Sequence, residues 1–358
     1  MAERKPIDAG CFDTVAIRQE LKIAEDLAGN DRVLKFAQMQ ASKMNTGPTF
    51  DRNEKVPGTK LFDNLYYFGN QEVGSFVFDT GEGLIMIDSC FPAMLDEILL
   101  GGMKEFNLDP KDIKYLFITH PGPDHAGTAY YFQQNFGTKV MMSRIEKEKH
   151  LPSDEENKER IEARKRPDFV YDQFNLGQVV MPVQSEVGVV EDGDTITLGN
   201  TTITAVYCPR SVRGGGTSYL ATVYDNGVPH IFATYGNTNV TGNLDDMVVY
   251  RESVKHFMEY CEKLNADVII SNHPFVDGSV TTMKELRARK PGDPNPFVFG
   301  HEKVMQFLRI LDRSSVVIAM RRSLGYNEAG CGIYVRGVMD LANNSINTTP
   351  KDKQLYNR

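Results

Sequence analysis

Three short apolar runs, LIMID, KYLFITH and ADVIISNH, each end in a residue that can do chemistry: Asp88, His120 and His273. Runs this brief, bounded by turn residues, read as buried strands rather than helices. Polar side chains at the carboxyl ends of buried strands line sites in layered α/β folds. The first of these strands closes a meander, LYYFG, VGSFVFDT, a Gly-Glu-Gly turn and LIMID. After it, strand-like and helix-like stretches alternate: a helix from Ala93 to Phe106, KYLFITH, a helix over 127–136, and the strand KVMMS.

Strands resume in VGVVEDGDTITLGNTTITAVYCP, where Asp192-Gly193 and Gly199-Asn200 supply hairpin turns, and continue through TSYLATVY and HIFATYG. A helix from Met247 to Leu264 leads to ADVIISNH, followed by helices over Thr281 to Lys290 and His301 to Asp312. Before the meander, residues 7–45 carry a helical rhythm broken at Gly29-Asn30, which predicts two helices suited to packing, a lid or a subunit contact. The chain thus divides into a helical extension (1–55), a main domain (56–315) and a carboxyl-terminal segment ending in a polar tail after Ala342 (316–358).

The 358 residues, 41% hydrophobic and 25% charged, suit a globular chain with a large core. A net charge of -8 argues against a polyanionic partner, because nucleic-acid binding rests on Lys/Arg contacts to phosphates. No stretch is apolar enough to cross a membrane and MAERKPIDAG lacks a secretory h-region, so a soluble, cytoplasmic protein is expected. The five cysteines (Cys11, Cys90, Cys208, Cys261, Cys331) are widely spaced and contain no CxxC pair, so they read as reduced thiols.

The densest chemical signal is ITHPGPDHAGT, which places His120, Asp124 and His125 just after a buried strand. Two imidazoles and a carboxylate can form a metal site, since catalytic zinc takes three protein ligands and keeps an open position. His273 at another strand end adds a further ligand type.

The ordered set VGSFVFDTGEGLIMID, ITHPGPDHAGT, DGDTITLGNTTITAVYCP with GGTSY, ADVIISNHPF and NPFVFGHEKVMQFL resembles the metallo-β-lactamase superfamily over about residues 60–312. It is most similar to the lactamase subclass whose second metal is held by Asp, His and His. The resemblance implies a four-layer αβ/βα sandwich with a metal site at the shared edge of two sheets. In that family an HxHxDH loop and a PGHTPGGTS loop supply the first metal's three histidines. Here the second histidine is Gly122, and the later loop, CPRSVRGGGTSY, puts Ser211 or Val212 where the third would stand. The second-site set of Asp124, His125 and His273 is retained, with His120 beside it.

The resemblance therefore implies one metal. Zinc is favoured by the family, with Fe2+ and Mn2+ compatible with the same ligand types. A single ion lowers the pKa of bound water enough for hydrolysis, with His120 placed to orient it or to move a proton, and Asp124 beside it. Asp88, at the family's loop-holding position, is expected to support the ligands rather than bind the ion. Arg210, Ser211 and Arg213 fall in the loop that lost its histidine, where guanidinium groups suit an anionic substrate. Tyr235 and Asn237 follow another apolar strand as candidate hydrogen-bond donors to a developing oxyanion.

His150, His230, His256 and His301 show no comparable partners and are read as structural. The charged run at 144–168 reads as a solvated helix or flap. The leading expectation is hydrolysis of a small, anionic molecule through a mononuclear metal-bound water, with no nucleic-acid or membrane partner and with self-association through the extension open. Esters, lactones, thioesters, amides and sulfates are the candidate bonds, and β-lactam cleavage is disfavoured. A lyase or hydrolytic dehalogenase on the same site, or a non-catalytic binding protein of the same fold, are the alternatives.

Overall fold

The computed structural model describes residues 13–42, 54–238 and 244–325. Two helices come first, α1 (Val15–Ala28) and α2 (Arg32–Ala41). Thr14 caps the start of α1, Gly29 at φ 54 ends it, and Asp31 accepts from Val33 and Leu34 to start α2, so the Gly29-Asn30 break separates them as its residue types dictate.

The strands β1 (Lys55–Phe62), β2 (Leu65–Asn70), β3 (Gly74–Asp79), β4 (Leu84–Ile87), β5 (Ile113–Phe117), β6 (Lys139–Ser143) and β7 (Gly188–Val190) form one sheet in that spatial order. Pairing is antiparallel through β4 and parallel from there on, so each later connection must cross over. The crossovers carry α3 (Gly101–Glu105), then α4 (Pro123–Ala126) and α5 (Ala129–Phe136), then α6 (Asp154–Arg164).

A second sheet takes β8 (Thr195–Leu198), β9 (Thr201–Tyr207), β10 (Thr217–Asp225), β11 (Val228–Thr234) and β12 (Val268–Ile269) in the order β12-β11-β10-β9-β8. Helices α7 (Leu244–Leu264), α8 (Pro274–Asp277), α9 (Ser279–Arg287) and α10 (His301–Ser323) complete the described chain.

Side-chain alternation along the strands produces the layers. Phe76, Phe78, Ile85 and Ile87 point inward and meet Tyr219, Ala221 and Phe232 of the other sheet, with Phe76 edge-on to Phe232 at 5.0 Å between ring centroids. Their neighbours Val77 and Met86 point outward beneath Leu99, Met103 and Phe132. On the far side, Val206, Leu220 and Ala233 pack under Phe257 and Cys261 of α7 and Leu308 and Leu311 of α10. Helices cover both outer faces, giving the four-layer αβ/βα sandwich.

Helix α10 runs to Ser323, beyond the Asp312 end that the sequence pattern predicts and through the segment boundary placed at 315. Its last turns are held by the amino-terminal helices: Val317 packs with Ile17 and Leu21, and buried Arg321 bonds Asp13. Cys90, Cys208 and Cys261 are buried free thiols. Cys11, Cys331 and the polar tail after Ala342 lie outside the described residues. Among the described residues, no helix is long and apolar enough to cross a membrane.

Candidate metal centre

Strand β4 stops at Ile87, and Asp88 follows with left-handed backbone at φ 57. That conformation costs a non-glycine residue roughly 1–2 kcal/mol, and here it turns a fully buried carboxylate into the gap between strand ends. Asp88 accepts from Thr119 N at 2.8 Å, from Thr119 Oγ1 at 2.9 Å, from His125 Nδ1 at 2.7 Å and from Asn272 Nδ2 at 2.9 Å. Thr119 precedes His120 and Asn272 precedes His273, so one carboxylate ties together the three segments that carry the imidazoles. Ser89 adds a bond from its N–H to the His125 carbonyl at 2.7 Å.

The expected cluster forms. Ligand atoms of His120, Asp124 and His125 all lie within 4.8 Å of one another. His273 closes the group, its Nε2 3.7 Å from Asp124 Oδ2 and its ring 5.0 Å from that of His125. His273 Nδ1 donates to the Glu72 carbonyl at 2.7 Å, which leaves Nε2 facing the cluster. His125 has the same division: Nδ1 is held by Asp88, while Nε2 is buried and, though 3.1 Å from Asp124 Oδ2, makes no hydrogen bond.

Burial pushes the protonation of His120 well below the usual imidazole range, and His125 and Arg210 push the same way. Burial and the neighbouring His125 push His273 down to about 4. For Asp124, burial works upward, but His125, His273 and His120 outweigh it and hold the carboxyl well below its ordinary range. On His125 burial opposes charge, yet Asp124 and Asp88 prevail and raise its proton affinity. A half-buried carboxylate among imidazoles, two of them neutral, is a donor set suited to a cation that displaces the His125 proton.

The cluster opens into a cavity of about 990 Å3 whose walls include Arg210, Ser211, Arg213 and Asn237, as the sequence predicts. Gly122 also lines it, and a β carbon there would sit 2.6 Å from Asp124 Oδ1 and 3.3 Å from His120 Nε2, so this position faces the ligands. Asn237 is buried, and its amide donates to the Cys208 carbonyl at 2.6 Å, so this donor is already engaged by the backbone.

Tyr235 does not belong to the site. It shares the face of β11's end with Ala233, two residues earlier, and points toward α7, where its ring packs 5.5 Å from Phe257. Of the histidines read as structural, His230, His256 and His301 bond Asp267, Asp192 and Glu262 at 2.6, 3.0 and 2.9 Å, all outside the cavity. His150 is exposed, as read, but at the cavity wall.

Sequence reasoning missed Glu146. It sits in the charged run read as solvated, yet it is 1% exposed, lines the cavity and accepts from Gly216 N. Burial pushes its carboxyl up to about 7 against the lowering pull of Gly216 and Arg210. The signal that could have found it is the one that marks Asp88, His120 and His273: Glu146 stands just beyond the carboxyl end of a buried strand, β6.

Residues 71–220 match the model of the metallo-beta-lactamase superfamily. The structure is similar to BJP-1, a subclass B3 metallo-beta-lactamase of Bradyrhizobium japonicum, at 25% identity over 72% of this chain and 92% of that one, with a TM-score of 0.55. It is also similar to native FEZ-1 metallo-beta-lactamase from Legionella gormanii, at 22% identity over 75% of this chain and 97% of that one, TM-score 0.58. The metallo-beta-lactamase GOB-18 from Elizabethkingia meningoseptica matches at 20% identity over 76% of this chain and 95% of that one, TM-score 0.55. Residues 71–220 thus match the metallo-beta-lactamase superfamily, and the chain takes a fold similar to that of the B3 metallo-beta-lactamases.

Proposed function

We propose that the chain is a hydrolase of a small anionic molecule that works with one metal ion, held by Asp124, His125 and His273 with His120 beside them. The observation that carries this reading is the gathering of His120, Asp124 and His125 ligand atoms within 4.8 Å, with His125 Nδ1 fixed by Asp88 so that Nε2 faces Asp124. A cation there would take the place of the proton that Asp124 and Asp88 hold on His125, and Asp88 would keep the ring oriented. An ion bound there supplies Lewis acidity and a lowered pKa for water, with zinc the expected metal and Fe2+ or Mn2+ compatible with the ligand types.

The chain's own groups do the rest. His120 is kept neutral, so its free nitrogen can accept a proton or add a ligand. Arg210 and Arg213 stand exposed on the cavity wall and supply positive charge for an anionic group on the substrate. Gly122 stands against His120 and Asp124 where a second histidine would bring another ligand, which supports one ion and a bond other than a β-lactam amide. An ester, lactone, thioester, amide or sulfate is the proposed target.

Elemental analysis after zinc reconstitution and exhaustive removal of loose ions tests the reading. About one equivalent should remain, and fewer than about 0.2 would overturn it. His273→Ala should lose the tightly bound ion, and full retention would overturn the ligand assignment.

A further inference from the structure

The cavity wall holds a buried carboxylate that the metal cluster does not use. Glu146 lies outside the group of ligand atoms that gather within 4.8 Å, so it does not extend the metal site. One of its oxygens, Oε1, accepts from Gly216 N, and Oε2 makes no hydrogen bond among the described residues. In the same cavity, Arg210 forms no ion pair and no side-chain hydrogen bond among the described residues, although its charge acts on both Glu146 and His120. Its backbone is fixed, with Arg210 N bonded to the Gly215 carbonyl at 3.0 Å. A guanidinium with unused donors and a buried carboxyl with an unused oxygen therefore share one wall, joined through the Gly214–Gly216 loop.

We propose that Arg210 and Glu146 form an oxoanion subsite in which the guanidinium pairs with the anion and Glu146 takes part as the neutral acid, donating from Oε2. This deepens, and rests on, the anionic-substrate reading. It makes anion binding proton-coupled, because an ionised Glu146 would set a carboxylate against the anion with no donor to offer. The titratable groups facing Glu146 are His150 from its own turn, Arg210 from the loop after β9 and His125 from α4, and Tyr207 and Tyr219 from β9 and β10. Burial favours the neutral acid up to about 7.

Inorganic sulfate is the probe, since its own charge is constant between about pH 5.5 and 8.5. Calorimetric titration of the zinc-loaded protein should show affinity falling about tenfold from pH 6 to pH 8, the slope set by one group titrating near neutrality. Glu146→Gln keeps a donor that cannot ionise and should bind sulfate with a flat pH profile. Arg210→Ala should bind weakly at every pH. A Glu146→Gln profile that falls like wild type overturns the subsite while leaving the anionic-substrate reading intact.

Sulfate binding that Arg210→Ala leaves unchanged overturns the subsite, and no binding by any form overturns both. If Glu146→Gln fails to fold, wild type measured at pH 7 in buffers of different ionisation enthalpy decides. Uptake of about half a proton per sulfate supports the proposal, and no uptake overturns it.

Discussion

At the scale of single residues, the site depends on two buried carboxyls with opposite habits. Asp88 is surrounded by donors and accepts from Thr119, His125 and Asn272 together. Asp88→Ala should destabilise the fold by about 3–5 kcal/mol, because it strands those buried donors, and should weaken metal binding about 10- to 100-fold. Chelator competition and urea unfolding read the two effects separately, and wild-type metal affinity in a folded Asp88→Ala protein would contradict the bracing role. Glu146 has the reverse environment: burial raises its carboxyl to about 7 from an ordinary 4.5. The folded state then holds this proton where the unfolded chain has released it, so stability should fall as pH rises from about 4.5 to 7 and level off above. The difference is roughly 3 kcal/mol. Comparing wild type with Glu146→Gln across that window isolates the effect, since all other titrations cancel, and parallel stability curves would refute it.

Among elements, the 214–216 glycine loop and Gly122 carry different constraints. Gly214, Gly215 and Gly216 have φ values of 85, 90 and 112, and a β carbon on Gly216 would lie 1.8 Å from Asn237 Nδ2 and 2.7 Å from the Cys208 carbonyl. Gly216→Ala meets both backbone strain and overlap, and should cost about 2 kcal/mol or more in thermal unfolding. Gly122 has φ -73, open to any residue, and the nearest atom is the movable end of Asp124. Gly122→Ala should therefore keep wild-type stability within about 0.5 kcal/mol but displace a ligand and lower zinc affinity on the order of tenfold. Equal melting losses in the two variants would show that the loop and the turn are not distinguished in this way. The same physics decides what was legible beforehand. Inward and outward alternation made the strands readable, and strand ends exposed Asp88, His120 and His273. Tyr235 misled because its face depends on counting from Ala233, not on its nearness to the loop. Glu146 hid in a run of charges of both signs, where sequence pattern cannot single out the one side chain that folds inward. The Asp88 bonding set joins positions far apart in sequence, so no local pattern displays it.

For the whole molecule, the amino-terminal helices are part of the sandwich's outer layer. Asp13 and Arg321 are both fully buried and pair twice, Nε to Oδ1 at 2.8 Å and Nη2 to Oδ2 at 2.6 Å, while Nη1 donates to the Ser42 carbonyl at 2.7 Å. One guanidinium thus clamps the residue before α1 and the residue after α2 onto the end of α10. The clamp explains why α10 continues past Asp312: its last turns have a partner in the extension. On the other side, α2 packs against α8, the short helix that begins directly after His273, with Phe36 close to Gly278. Removing one partner of a buried ion pair leaves the other charge uncompensated, so Asp13→Ala should destabilise the protein by about 3–5 kcal/mol, whereas replacing both with Asp13→Leu and Arg321→Met should recover most of that loss. Urea unfolding gives the magnitudes. An Asp13→Ala protein within about 0.5 kcal/mol of wild type would show that the clamp adds little and that α1 and α2 are held by apolar packing alone.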